Sequence, residues 1–485
     1  MVRAAACALA LPSRDSCDKV RVRRGGVHLL LALLFVTGNF PPDVAQRLVG
    51  EALTSGIAYA RLEELTDTIG PRLSGSAGAE AAVQWALKKL QQDGLAAHLE
   101  PVKVPHWVRG EESGEVLSSP GVAGYRLALT ALGNSVGGAA SAEVVEARSL
   151  AEVASLGAAA RGKIAFLNHT MSAPEDYGKF IEMRTRGPSA AARVGAVAML
   201  LRSLATGSLR SPHTGMTSYD PDAPRIPGAA ISTEDADLLH RLLRRGPVRV
   251  RLSLGCRMLP DADSANVVAD VRGREKPEEV VLIGAHLDSW DLAQGANDDG
   301  AGVAMVMEAG RVIAALPQHP RRTVRVVLFM NEENGLAGGK GYAAAHQGEL
   351  GRHVAALEAD SGAGPPLAVR LRSGDGGSSM LAPWLAPLAS LGIELREGDA
   401  SGADLSPLDP SGVPLFAVHP DVTHYFDIHH SAADTFDKID PGNLARNAAA
   451  IAVVAYALAE MPGTLPRPIP KPPHDKQEVT RPAAH

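Results

Sequence analysis

The stretch Val280-Val281-Leu282-Ile283-Gly284-Ala285-His286-Leu287-Asp288 decides how this chain is read. Residues 280–285 are apolar and rich in β-branched side chains, which predicts a strand covered on both faces. That strand ends in an imidazole and a carboxylate. Working outward, residues 265–271 and 324–330 have the same character, residues 302–315 carry a helical pattern, and residues 354–359 are apolar apart from Glu358. Strand, loop, helix, strand in this order predicts a parallel α/β sheet, where reactive groups gather just past the C-terminal strand ends.

Polar groups stand at those ends. His286 and Asp288 follow the first strand, Asp298-Asp299 follows a Gly-bearing loop and opens a helix at Gly300, and Glu332-Glu333 follows residues 324–330. Asp360 closes residues 354–359, and His429-His430 follows Tyr425-Phe426. An isolated Asp-Asp or Glu-Glu pair is ordinarily a solvated loop, and a lone histidine is ordinarily structural. The informative feature is the whole set, in this order, with most members at strand ends. Zinc takes imidazole nitrogen and carboxylate oxygen where thiolates are absent, and two ions about 3.5–4 Å apart need one carboxylate bridging both. Two further ligands for each ion complete such a site and leave room for a shared water whose pKa falls toward about 7. A carboxylate outside the ligand set must take that water's proton. Of Glu332 and Glu333, one can ligate while the other faces the water, because neighbouring side chains at a strand end point in different directions. Asp288 can accept the distal N–H of His286 and fix its ligating tautomer.

The rest of the chain frames this set. At 485 residues, two domains plus removable ends are expected. Hydrophobic residues at 45% and charged residues at 21% match soluble globular proteins and exclude a fibrous or mainly disordered chain. A net charge of -6 without a long basic run provides no field for phosphate backbones, so nucleic acid is not an expected partner. In residues 1–40, Arg21, Arg23 and Arg24 precede an apolar run at 27–36 that is too short to span about 30 Å of hydrocarbon. This reads as a signal peptide, not a membrane span, and points to a secreted or periplasmic protein, lumenal in a eukaryote. Cys7 and Cys17 would leave with it, so the remaining Cys256 has no partner for an internal disulfide.

Residues 41–109 alternate helical patterns at 44–60 and 79–92 with a strand at 97–104, and contain the turn-rich Gly70-Pro71-Arg72-Leu73-Ser74-Gly75-Ser76. Residues 110–263 hold short β-like runs at 163–167, 196–201 and 248–252 with an Ala-rich helix at 189–194, the composition of a small inserted α/β domain. Residues 264–462 carry the polar set, and residues 463–485, rich in Pro and charge, read as a disordered tail.

Four stretches carry a family resemblance: residues 284–291 (GAHLDSWD), 295–302 (GANDDGAG), 329–333 (FMNEE) and 429–435 (HHSAADT). They resemble the metallopeptidase family M28, and the resemblance extends over nearly all of residues 45–462. It implies a three-layer α/β/α zinc-exopeptidase domain, phosphorylase/hydrolase-like, with an inserted protease-associated-like α/β domain covering the active-site side. It implies two zinc ions per chain, with His286 and Asp360 on one, Glu333 and His430 on the other, and Asp298 bridging. His430 takes the role over His429 because it directly precedes Ser431. Glu332 would be general base and then acid, Asp288 would orient His286, and Asp298-Asp299 would carry a cis peptide bond. The implied activity is hydrolysis of unblocked dipeptides or short peptides, with a peptide substrate, no membrane partner, and a homodimeric state. An aminopeptidase of broader peptide range and a non-catalytic binding protein on the same scaffold are the alternatives; the complete ligand set and the Glu base favour catalysis. Asn331, Asp404 and Tyr425 lie near the motifs as candidates for contacting substrate termini, and residues 398–420 are expected to shape the pocket.

Overall fold

The strand that opens this reading is Lys276–His286, and it lies between Arg322–Phe329 and His353–Glu358, parallel to both. Leu415–Pro420 extends the parallel core beyond His353–Glu358. These features come from a computed structural model that describes residues 40–398, 400 and 402–470, so the leader up to residue 39 and residues 471–485 lie outside the described part.

The expectation of a purely parallel sheet fails at the margins. Arg257–Val271 runs antiparallel to both Arg322–Phe329 and Ala96–Val108, and Pro366–Arg372 runs antiparallel to Leu415–Pro420. The cause is connection length. Residues 272–275 join Arg257–Val271 to Lys276–His286, too short a link to hold the crossover helix that parallel strands need, so the chain reverses direction. The result is a mixed eight-stranded sheet.

Its two faces follow the period of two along each strand. Val267, Ala269 and Val271, with Val281, Ile283 and Ala285, pack on helices Ala77–Gln92, Ala301–Ala314 and Pro441–Glu460. Val268, Leu282, Val327 and Phe329 face the other way, onto Tyr342 of helix Ala337–Ala345 and onto Leu405 and Leu408. The sheet is therefore sandwiched between two covering layers. Pro441–Glu460 is long and apolar enough to cross a membrane, but most of it is buried inside the fold as a core helix.

Several boundaries differ from the sequence expectation. Residues 44–60 form two helices, Pro42–Thr54 and Ile57–Glu64, because Gly56 adopts φ +66 and breaks the first one. Residues 112–254 build a second eight-stranded sheet. The chain crosses to and from it at Gly110 and Gly255, where a Cβ on Gly110 would stand 2.5 Å from the Gly255 carbonyl oxygen. The return comes before residue 263 because Arg257–Val271 keeps its ladder with Ala96–Val108 as far as Arg257. Residues 463–470 are not a free tail. Leu465 is buried, and Arg467 donates to the carbonyls of Leu350, Gly351, His353 and Ser411.

His353, at the start of a core strand, is fully buried, with its ring against the Tyr342 hydroxyl (2.7 Å) and the Glu349 carbonyl (3.2 Å). Burial pushes its pKa from the usual 6.5 down to about 4. The folded protein keeps this ring neutral while the unfolded chain protonates it near pH 6.5. Its contribution to stability is therefore complete above that pH and is lost as pH falls toward 4, by at most about 3 kcal/mol. A His353→Gln variant is expected to lose melting temperature less steeply than wild type between pH 7 and 4.5. Parallel slopes in a thermal-shift series would exclude this role.

Candidate active site

The strand ends bring the expected groups together. His286 Nε2 lies 3.1 Å from Asp298 Oδ1 and 3.6 Å from Asp360 Oδ1. On the other side of Asp298, Oδ2 is 3.3 Å from His430 Nε2 and 3.5 Å from His429 Nε2. His430 Nε2 is also 3.1 Å from Glu333 Oε2. Two donor sets thus share one carboxylate: Asp298 with His286 and Asp360, and Asp298 with His429 and His430, the ligand atoms of each set within 4.8 Å of one another. Asp298 Oδ2 is buried without a hydrogen-bond donor. An acceptor of this kind, facing imidazole nitrogens, fits a bound cation.

The electrostatics are those of a crowded acidic cluster. Burial pushes Glu333 up to about 7, with Asp298 adding to the effect, and burial lifts Glu332 well above the usual carboxylate range. His430 rises to about 9 against the cost of burial because Glu333 and Asp298 face it. His429, stacked on His430 with ring centroids 3.6 Å apart, is held well below its usual value by burial and then by its neighbour. His430 therefore occupies the position between Asp298 and Glu333, while His429 is stacked beside it.

Loop hydrogen bonds set these positions. The peptide Asp298-Asp299 is cis, as the resemblance implies. Asp434 accepts from the backbone N–H of Asn297 (2.7 Å) and Asp298 (3.1 Å), and Asp299 accepts from those of His286 (3.1 Å) and Gly302 (3.0 Å). Arg72, fully buried, donates to the carbonyls of Gly70, Leu287, Gln294 and Gly295, tying three loops together. Asp288 differs from expectation. The atom nearest His286 Nδ1 is its backbone carbonyl oxygen at 3.0 Å, whereas the carboxylate is 3.8 Å away. That carboxylate instead receives the backbone N–H groups of Asn331 (2.8 Å), Glu332 (3.0 Å) and Glu333 (3.4 Å), so it holds the Glu doublet.

A cavity of about 1000 Å³ opens over this cluster, lined by Asp298, Glu332, Glu333 and Asp360 on one side and by Tyr177 and Arg184 from the second sheet's segment on the other. Of the three candidate terminus contacts, only Tyr425 lines it. Asn331 is buried at φ +74 and spends its amide on Ser74 and Asn334, and Asp404 is buried against the Gly339 N–H. The Asn331 amide is thus used within the fold, whereas Asp404 keeps Oδ2 buried and unpaired away from the cavity. From residues 398–420, Ala403 and His419 reach the cavity. Sequence reasoning missed Arg72, Asp434, Tyr177 and Arg184. The last of these donates to Tyr177 Oη (2.8 Å) and lies 3.4 Å from His430 Nδ1. Only the apolar setting of Arg72 within a turn-rich run offered a signal.

Residues 266–455 match the profile described as Peptidase family M28. Carboxypeptidase Q of Rattus norvegicus is 41% identical over 433 residues, 88% of this chain and 90% of that protein. The chain belongs to peptidase family M28. It is a metallopeptidase of that family, similar also to a peptidase M28 precursor from Shewanella amazonensis SB2B, whose crystal structure gives a TM-score of 0.85 at 40% identity over 88% of this chain and 99% of that one. A zinc aminopeptidase from Bacillus subtilis shares the fold, with a TM-score of 0.62 at 20% identity, 85% of this chain and 97% of that one.

Because three backbone amides converge on Asp288, Asp288→Asn in this M28 peptidase turns one acceptor oxygen into a donor facing a donor. Turnover or metal affinity is expected to fall about 10- to 100-fold. Steady-state rates with metal titration test this, and a variant within twofold of wild type in both would remove Asp288 from the positioning role.

Proposed function

We propose that this chain is a secreted or periplasmic di-zinc exopeptidase that releases single residues from unblocked dipeptides or short peptides. The observation that carries the reading is Asp298, one carboxylate shared by two imidazole-containing donor sets on a cavity that also exposes Glu332. Imidazole and carboxylate donors without thiolate suit zinc, and the Bacillus subtilis protein of the same fold is named a zinc aminopeptidase. In this reading His286 and Asp360 would hold one ion and Glu333 and His430 the other, with the Asp298 carboxylate available to both. When bound, the ions polarise the scissile carbonyl and lower the pKa of a water.

The chain's own groups do the remaining work. Glu332 takes the water's proton and passes it to the leaving amine. Its carboxylate receives no hydrogen bond among the described residues, and its raised pKa suits a group that must hold a proton between two steps. Asp288 fixes the Glu332 backbone, and the Asp288 carbonyl fixes the tautomer of His286 with its ligating nitrogen toward Asp298. The second sheet, which we take as a protease-associated-like insert, covers the cavity with Tyr177 and Arg184. Export rests on the basic flank and apolar run of residues 1–40, and a homodimeric state rests on the family resemblance.

Glu332→Gln is expected to lower turnover on a free dipeptide by about two to four orders of magnitude while metal content, measured by mass spectrometry, stays near two zinc ions per chain. Activity within about tenfold of wild type would assign the base elsewhere. Comparing a free dipeptide with its N-acetyl form decides the end that is read. Loss of cleavage on acetylation gives an amine-dependent enzyme, and retained cleavage gives a carboxypeptidase, as the rat relative is named.

A further inference from the structure

Three arginines line the cavity among the described residues: Arg184, Arg186 and Arg370. Arg184 is buried, with Nη1 shared among Tyr177 Oη, the Thr214 carbonyl and His430 Nδ1 and with Nε unpaired. Arg186 is exposed at the end of helix Tyr177–Thr185. None of the three has a carboxylate partner among the described residues, and Arg370 differs from the other two in being neither fully buried nor exposed. It is half-buried on the strand Pro366–Arg372, and among the described residues it has no carboxylate partner, whereas Arg372 on the same strand pairs with Asp409 and Arg396 on the neighbouring strand pairs with Glu394.

Its single side-chain hydrogen bond goes to His419 Nε2, at 3.2 Å. Arg370 stands opposite Ala417 and His419 opposite Ala368 in the antiparallel ladder, so the two side chains share one face as diagonal neighbours, and both line the cavity. Burial, then Arg370 and Arg396, holds His419 below its usual pKa, which keeps the ring neutral and able to accept. One edge of the guanidinium is thereby fixed while its remaining N–H groups stay unpaired. A half-buried guanidinium without an anion is an unusual expense unless an anion arrives with the ligand, and its planar fork matches a carboxylate in bidentate geometry. Arg370 and His419 line the same cavity as Asp298, Glu332 and Asp360; bound cations would offset the charge of those acids, which leaves Arg370 as a half-buried cation on the cavity wall with no carboxylate partner among the described residues.

We propose that Arg370, oriented by His419, binds the free α-carboxylate of the peptide substrate and so confines the enzyme to short, unblocked carboxyl ends. This rests on the exopeptidase reading above. The test compares kcat/KM for one free dipeptide and its C-terminal amide, using zinc-loaded wild type, Arg370→Ala, Arg370→Lys and Arg186→Ala. Wild type is expected to prefer the free carboxylate by about 10- to 100-fold, the scale of a charge-assisted bidentate contact. Arg370→Ala should collapse that ratio toward one, mainly through KM, Arg370→Lys should restore part of it, and Arg186→Ala should keep it. Arg370→Met is read in the same way should the Ala protein not fold. A wild type indifferent to amidation, an Arg370→Ala enzyme that keeps the ratio or loses both substrates equally, or an Arg186→Ala enzyme that loses it would each overturn the carboxylate site and leave the exopeptidase reading intact. A wild type that cleaves neither substrate overturns both.

Discussion

One buried carboxylate organises this protein. Asp298 lies among three imidazoles, with His286 on one oxygen and His429 and His430 on the other. Concentrating Asp298, Glu333 and Glu332 in one buried place is strongly unfavourable without compensating positive charge. The fold meets that demand with ring nitrogens and with a donor geometry suited to cations. These rings and carboxylates come from four separate strand ends and loops, at His286, Asp298, Glu332-Glu333 and His429-His430, so the cluster exists only when the central sheet is assembled in register.

The second sheet is part of the same constraint. The backbone N–H of Thr214 donates to the His430 carbonyl at 2.8 Å, and the guanidinium of Arg109 grips Asp291, in the loop after Asp288, through both oxygens (2.9 and 2.5 Å). Trp107, near the end of Ala96–Val108 in the first sheet, meets Trp290 edge-on, and the backbone N–H of Trp290 donates to Glu333 Oε1. Gly133 touches the Trp290 ring so closely that a Cβ there would stand 1.9 Å from it. Residues far apart in the chain thus hold the loops that carry His286 and Glu333, and the walls of the cavity come from both sheets.

How much of this was legible in the sequence follows from the range of the interactions. The strand 280–285 and the polar residues at its end are local patterns, and the structure brings His286, Asp298, Glu333, Asp360 and His430 into one cluster. Strand direction is not local: residues 265–271 look like any buried strand, and only the short link at 272–275 sets them antiparallel. Asp288 shows a finer limit. Its position near His286 was readable, but which of its oxygens meets the ring depends on the left-handed turn at Asn331 that aims three amides at the carboxylate. Arg72 and Asp434 act entirely through backbone groups of distant loops, and such partners leave no periodicity to detect.

The buried acids sort by what they accept. Asp288, Asp299, Asp434 and Glu358 each receive two or more backbone N–H groups, and each is spent on holding a loop. Among the described residues the Glu332 carboxylate receives none, and Asp298 Oδ2 is buried without a donor. Backbone amides are fixed by the fold, so a carboxylate they saturate cannot also exchange protons or take a ligand without loosening its loop. Asp298 and Glu332 face the cavity, and Arg370 faces it as well, with no carboxylate partner among the described residues. On the cavity wall, groups that the fold leaves without a partner are the ones free to take a ligand.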